Sequence, residues 1–204
     1  MIAIAPFASI DGDNHKLKNI TLTHTDSLSG AGLYGQLTWG PNGKRDEIKN
    51  LIIENVKIIS SSGDDSAGVI AAANWYGLIS NVHVVGGSVK IAGQSSSSIG
   101  ILYTGGLVGI NKSIIEDSSV DGKVSGLYNV GGIAGVNAAT LRNSKASGTV
   151  AGLKGVGGIV GVQIMPGTLE NSSASAAVTG NEHSGDQIGL TCNSQEYDQC
   201  GMDR

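Results

Sequence analysis

From residue 10 onward apolar positions come in short bursts at every second residue, and each burst follows an Asn or Asp. Leu51 and Ile53 follow Asn50, Val82 and Val84 follow Asn81, and Ile20 and Leu22 follow Asn19. Later copies place Ser118 and Val120, Ser144 and Ala146, and Ser172 and Ala174 at the same two positions. Alternation with period two predicts strands with one buried face. A helix would need apolar residues three and four apart, which these β-branched, Gly-rich stretches do not supply.

The bursts recur. "VGINKSIIEDSSVDGKVSG", "AGVNAATLRNSKASGTVAG" and "VGVQIMPGTLENSSASAAVTG" align after the glycine pairs Gly105-Gly106, Gly131-Gly132 and Gly157-Gly158, which step by 26 residues (131 − 105 and 157 − 131). An altered copy, "GDQIGLT", begins at Gly185. A second column reads aliphatic-x-Asn and reaches back to the N-terminus: Asn19, Asn50, Asn81, Asp117, Asn143 and Asn171. Unequal steps between its members place the length variation in loops, as repeat architectures allow.

These columns predict an all-β chain, a single-stranded parallel β-helix of about six coils over residues 1–185, followed by a C-terminal cap or tail over 186–204. Coils stacked about 4.8 Å apart superpose equivalent residues. The glycines are then expected at corners, permitting positive φ and close backbone approach. The six Asn/Asp residues form an amide ladder, with Asp117 able only to accept. The shrinking side chains after each Asn predict a cross-section that tapers toward the C-terminus. Ordinary hairpin-turn residues are the competing explanation of the Asn column.

Composition narrows the function. With 32 Gly and 4% aromatic residues the core is not built on large rings, and a net charge of −4 with pI near 5.5 disfavours nucleic acid as partner. No apolar run reaches the roughly 18 residues of a membrane span. The start "MIAIAPFASI" lacks a basic n-region, so the chain is read as part of a longer polypeptide. Cys192 and Cys200 are a disulfide candidate, which would imply export; two unpaired thiols are the alternative.

"VGGIAGVN…LRNSKASGTVAG" resembles the GLUG repeat of bacterial extracellular proteins, and "FASIDGDNHKLKNITL" resembles the segment that commonly precedes such repeats, with Ser9 and Asp13-Asn14-His15 as departures. The motif's positions fall on Gly131, Gly132, Gly135, Asn143 and Gly148. The resemblance implies a right-handed parallel β-helix in large surface or secreted proteins, among them adhesin-like proteins and regions preceding the catalytic domains of some metalloproteases. It brings no catalytic motif.

Chemistry was sought on the outward positions. Lys18, Lys49, Ser80, Glu116, Arg142 and Glu170 are expected in one outward column, and Thr21, Ile52, His83, Ser119, Lys145 and Ser173 in the next. Glu116, Arg142 and Glu170, with Asp121 and Lys145, are the residues a polysaccharide-active site would use; a surface ion ladder explains them more simply. Asp64 and Asp65 lack the spaced ligands of a calcium loop, and His15, His24, His83 and His183 are scattered. The loops "GLYGQLTWGPNGKRDE" and "AANWYG" offer Tyr34, Trp39, Trp75 and Tyr76 for stacking on sugars or anchoring a protein; covering the end of the solenoid is the competing role. The expectation is therefore a non-catalytic extracellular structural or adhesion module, with a glycan or host-matrix protein as partner and no cofactor or metal. The alternatives are a polysaccharide lyase or hydrolase and a spacer of a secreted metalloprotease.

Overall fold

The computed structural model describes residues 9–25, 30–40, 43–61, 66–91 and 102–193. Asp64, Asp65 and Cys200 lie outside the described residues.

The described chain forms strands and no helix, collected in three sheets. The first sheet carries Ile10–Lys18, Thr21–His24, Glu47–Glu54, Lys57–Ser60, Leu78–Ile91, Ile114–Glu116, Ser119–Ser125, Thr140–Arg142, Lys145–Ala151, Thr168–Glu170, Ser173–Ala174 and Ala177–Thr179. The second carries Ser66–Ala67, Tyr103–Gly105, Tyr128–Gly131, Lys154–Gly157 and Glu182–Gly185. The third carries Tyr34–Leu37, Ala71–Asn74, Val108–Asn111, Ala134–Asn137, Val160–Ile164 and Ile188–Cys192. Each strand pairs in parallel with the equivalent strand one repeat away, for example Val108 with Ala134 and Ala134 with Val160. This pairing is consistent with a β-helix. The third sheet continues through Ile188–Cys192, past the boundary expected at residue 185.

The core is built of columns. Ile48, Ile79, Ile115 and Leu141 stack in register and are fully buried. Burying such a side chain stabilises by about 1.5–3 kcal/mol, so the file is a main source of cohesion between repeats. A neighbouring file runs Ile53, Val84, Val120, Ala146, Ala174 and loses volume toward its C-terminal end.

The glycine pairs play a different part from the one expected. Gly131, Gly132 and Gly135 do not have positive φ. They are needed because backbones meet there. A Cβ on Gly132 would run into the carbonyl oxygen of Gly158, and one on Gly106 into that of Gly132. At Gly135 it would lie 2.7 Å from the carbonyl oxygens of Asn129 and Gly109. The second and third sheets abut at this line with no room for a layer of side chains. Positive φ falls instead on Gly148, at 96°.

Candidate functional site

Asn50, Asn81, Asp117, Asn143 and Asn171 all adopt left-handed backbone, with φ between 46° and 53°. Asn is among the few residues that enter this region readily. The expected continuous ladder forms only in part: among the described residues no side-chain bond joins Asn81 to Asp117 or Asn143 to Asn171, while other members do link. The Asn50 amide donates to Asp11 Oδ1 at 2.9 Å, that of Asn81 to Asn50 Oδ1 at 2.8 Å, and that of Asn143 to Asp117 Oδ1 at 3.0 Å. The Asn50 bond is the main cause holding the Asp11 carboxyl below its ordinary range.

Asn19 belongs elsewhere. Register places Lys18 over Glu54, and the Asn55 amide donates to Asn19 Oδ1 at 3.3 Å. The position over Asn50 is taken by the "DGDNH" bend, where Asp13 and Asn14 have positive φ and the register shifts between Asp11 and His15. The first repeat carries an aliphatic-x-Asn triplet at the end of its long strand instead of inside it. For the same reason Thr21 stacks on Lys57 and not on Ile52, and Lys49 stacks on Asp11 and not on Lys18.

A second file of amides lies inside. Asn74 donates to Asn111 at 3.0 Å, Asn111 to Asn137 at 2.8 Å, and Asn137 to Gln163 at 2.9 Å. All four are buried, and Asn111 also donates to the carbonyls of Ser113 and Thr140, Asn137 to those of Ala139 and Thr168. Gln163 Nε2 has no partner among the described residues. Sequence reasoning missed this file, although "GINK", "GVNA" and "GVQI" follow each glycine pair at a constant offset. Ser118, Ser144 and Ser172 form a third file: Ser118 Oγ accepts from Val82 N, Ser144 Oγ from Ser118 N, and Ser172 Oγ from Ser144 N.

On the outer face the charged residues neutralise one another. Arg142 donates through Nε and Nη2 to Glu116 Oε2, the former at 3.0 Å, and this pair is the largest cause raising the Arg142 pKa. Asp121 accepts from Ser147 Oγ at 2.9 Å. Lys145 is exposed and stacks between Ser119 and Ser173. Glu54 is bridged by Lys16 at 2.6 Å and Lys18 at 2.9 Å.

His83 has a defined tautomer. Asp11 can only accept, so the Asn50 amide points its N–H toward Asp11 and its oxygen toward Asn81, whose own oxygen is left for His83 Nε2 at 2.9 Å. Nε2 therefore donates, and Nδ1 accepts from Ser119 Oγ at 2.9 Å. The strand carrying Ser119 is paired on both sides. His15 Nδ1 is 2.9 Å from the Gly12 carbonyl, within its own bend. Among the described residues no group of three His, Cys, Asp or Glu is placed to hold a metal ion. Cys192 is disulfide-bonded.

The four aromatic residues divide. Tyr34 is buried, 5% exposed, and its hydroxyl has no partner among the described residues; desolvation, then Asp46, raises its pKa. Trp39 and Tyr76 are each 52% exposed and lie with ring centroids 6.0 Å apart at 41°. Leu37 and Asn74 are in register, so both rings project from the same corner on successive repeats. Lys112, the next step along, sits over the Trp75 ring at 4.6 Å. The corner is braced by a small hairpin in which Trp39 bridges Arg45 in antiparallel fashion and buried Asp46 accepts from Thr38 N at 2.8 Å.

The family model of the GLUG motif matches residues 100–125 and 126–151. No curated protein matches the chain. Among solved structures, the fold is similar to that of a Bacteroides ovatus protein provisionally assigned as an immunoglobulin A1 protease: 19% identity, TM-score 0.61, covering 92% of this chain and 70% of that one. No helix among the described residues is long and apolar enough to cross a membrane.

Proposed function

We propose that this GLUG-repeat chain is a secreted, non-catalytic stalk and adhesion module of a larger bacterial surface or secreted protein. It would be a right-handed β-helix of about six coils tapering toward its C-terminus. The observation that carries the adhesive part is the half-exposed Trp39–Tyr76 pair, fixed on adjacent rungs of a hydrogen-bonded ladder. Rings held this way offer contact area at little entropic cost. The stalk part rests on files of amides, hydroxyls and aliphatic side chains that tie each repeat to its neighbours. Of the carboxylates a polysaccharide-active site would use, Glu116 is bridged by Arg142 and Asp121 accepts from Ser147, which leaves Glu170 as the exposed one without an ion pair among the described residues.

The test is adhesion. The chain is presented to glycan arrays and extracellular-matrix proteins, and the parent protein is compared with and without it. Adhesion lost on deletion supports the module; equal adhesion by the deleted parent, with no binding by the chain, overturns it. A second reading, a spacer of a secreted protease, is favoured by the fold shared with the Bacteroides ovatus protein. Deletion would then change substrate cleavage by the parent and leave adhesion unaltered.

A further inference from the structure

Resting on the adhesive reading, we propose that the corner bearing Trp39, Tyr76 and the Trp75–Lys112 pair binds an anionic polysaccharide, one bearing carboxylate or sulfate groups. The sugar ring stacks on the Trp39–Tyr76 platform and its acid group meets the flanking cations.

Three features lead there. First, the platform is small and amphipathic: two tilted rings with centroids 6.0 Å apart, followed one rung on by a charged residue. A protein partner needs about 800 Å² of surface per side, far more than two rings provide. A pyranose has one apolar face of ring size and polar edges.

Second, the corner is cationic on a chain whose net charge is −4. Arg45 bridges Trp39, Lys44 precedes it with its carbonyl on Gly40 N, and Lys112 stands over Trp75. Of the nearby acids, Asp46 is buried and spends Oδ2 on Thr38 N, while Glu47 is bridged by Lys49 at 3.2 Å and Arg45 at 3.5 Å. Lys44 and Lys112 are exposed and make no ion pair among the described residues. Third, the Lys112 cation sits over Trp75 and not over the Trp39–Tyr76 pair, whose two residues each keep half their surface exposed. Single-stranded nucleic acid shares the stacking-plus-cation chemistry, and oligo-dT is the competitor that tests it.

The chain's two tryptophans are Trp39 and Trp75, so fluorescence excited selectively at tryptophan reports this corner alone. The whole chain is titrated with polygalacturonate, dextran sulfate and neutral dextran of matched length, and with oligo-dT, at low and at high salt. Expected is a saturable change with one or both anionic polysaccharides, weakened at high salt and absent with dextran; which of the two binds identifies carboxylate or sulfate as the source. Tyr76→Ala weakens it at least tenfold and Lys112→Gln reduces its salt dependence, both without lowering the melting temperature. Tyr128→Ala, an exposed tyrosine on another sheet, leaves it unchanged. Dextran binding equal to polygalacturonate overturns the charge assignment, and tighter oligo-dT binding replaces the polysaccharide. Unchanged fluorescence in a chain that still adheres to arrays or matrix overturns this site and leaves the adhesive module standing. Absence of adhesion as well removes both.

Discussion

The Asn111 side-chain amide donates to that of Asn137 across 2.8 Å, with both residues wholly removed from solvent. The bond joins two repeats through their interior, beside a core of aliphatic columns. Buried amides are stable only when every donor and acceptor is met, so the file also dictates which turn stacks on which.

Asn137→Ala is therefore expected to destabilise strongly. It leaves Gln163 Oε1 without its donor and the Asn111 amide without its acceptor, and takes one donor from the carbonyls of Thr168 and of Ala139, the latter keeping Thr168 N. At about 1–3 kcal/mol per orphaned buried group, incompletely additive, the loss should be roughly 3 kcal/mol in urea unfolding. Asn137→Leu restores volume and should not restore stability. A midpoint within error of wild type for either variant would show that the file contributes little.

The exposed file should behave differently. Asn143 is solvent-facing, at φ 51°, and makes one side-chain bond, to Asp117. Its backbone conformation is the larger constraint. Asn143→Ala should cost about 1–2 kcal/mol, the left-handed penalty of a residue with a Cβ, while Asn143→Gly recovers most of it. Equal losses for the two substitutions, read from denaturant midpoints, would assign the role to the side-chain bond instead.

Glycine substitutions separate close approach from backbone conformation. At Gly132 an added Cβ meets the Gly158 carbonyl and the Ala146 side chain, and backbone must move. At Gly43 nothing lies within 4 Å, and only φ 68° opposes a side chain. Gly132→Ala should thus exceed about 3 kcal/mol and Gly43→Ala should stay near 1 kcal/mol. Comparable melting temperatures for both variants would contradict the close-approach account.

Much of this was legible from periodicity. Asn50, Asn81, Asp117, Asn143 and Asn171 do share one backbone conformation, and Ile52, His83, Ser119, Lys145 and Ser173 do stack in one outward column. The first repeat was misplaced because "LKN" at Asn19 imitates the local triplet while closing its strand, and only strand pairing shows that it stacks on Asn55. The internal amides escaped notice because an Asn next to Ile or Val reads as a turn residue; its burial comes from a neighbouring coil, not from its own segment. Tyr34 and Trp39 sit five residues apart in one loop-like insert, yet one is core and the other surface. Tyr34 opens the strand Tyr34–Leu37, whose buried ends are Tyr34 and Leu37, while Trp39 lies beyond it at the corner.

Acid should loosen the N-terminal repeats, and the sign follows from three carboxyls. Hydrogen bonds from Lys16 and then Lys18 lower the Glu54 pKa, Lys49 and then Arg45 lower that of Glu47, and the Asn50 amide lowers that of Asp11. A carboxyl depressed in the folded state leaves the unfolded chain binding more protons in the interval between the two pKa values, so stability rises with pH across that interval. The contribution is complete above the ordinary carboxylate range near pH 4 and disappears as pH falls through the folded values. Urea midpoints should be flat from about pH 6 to 7 as far as these groups are concerned, and fall below about pH 4.5. Lys16→Met with Lys18→Met should make the acid limb shallower by removing the cause of the Glu54 shift. So should 1 M salt, whose screening length is about 3 Å, because these pairs are partly exposed. A midpoint that climbs on acidification, or an acid limb unchanged in the double variant, would mean that these pairs do not govern the low-pH behaviour of the fold.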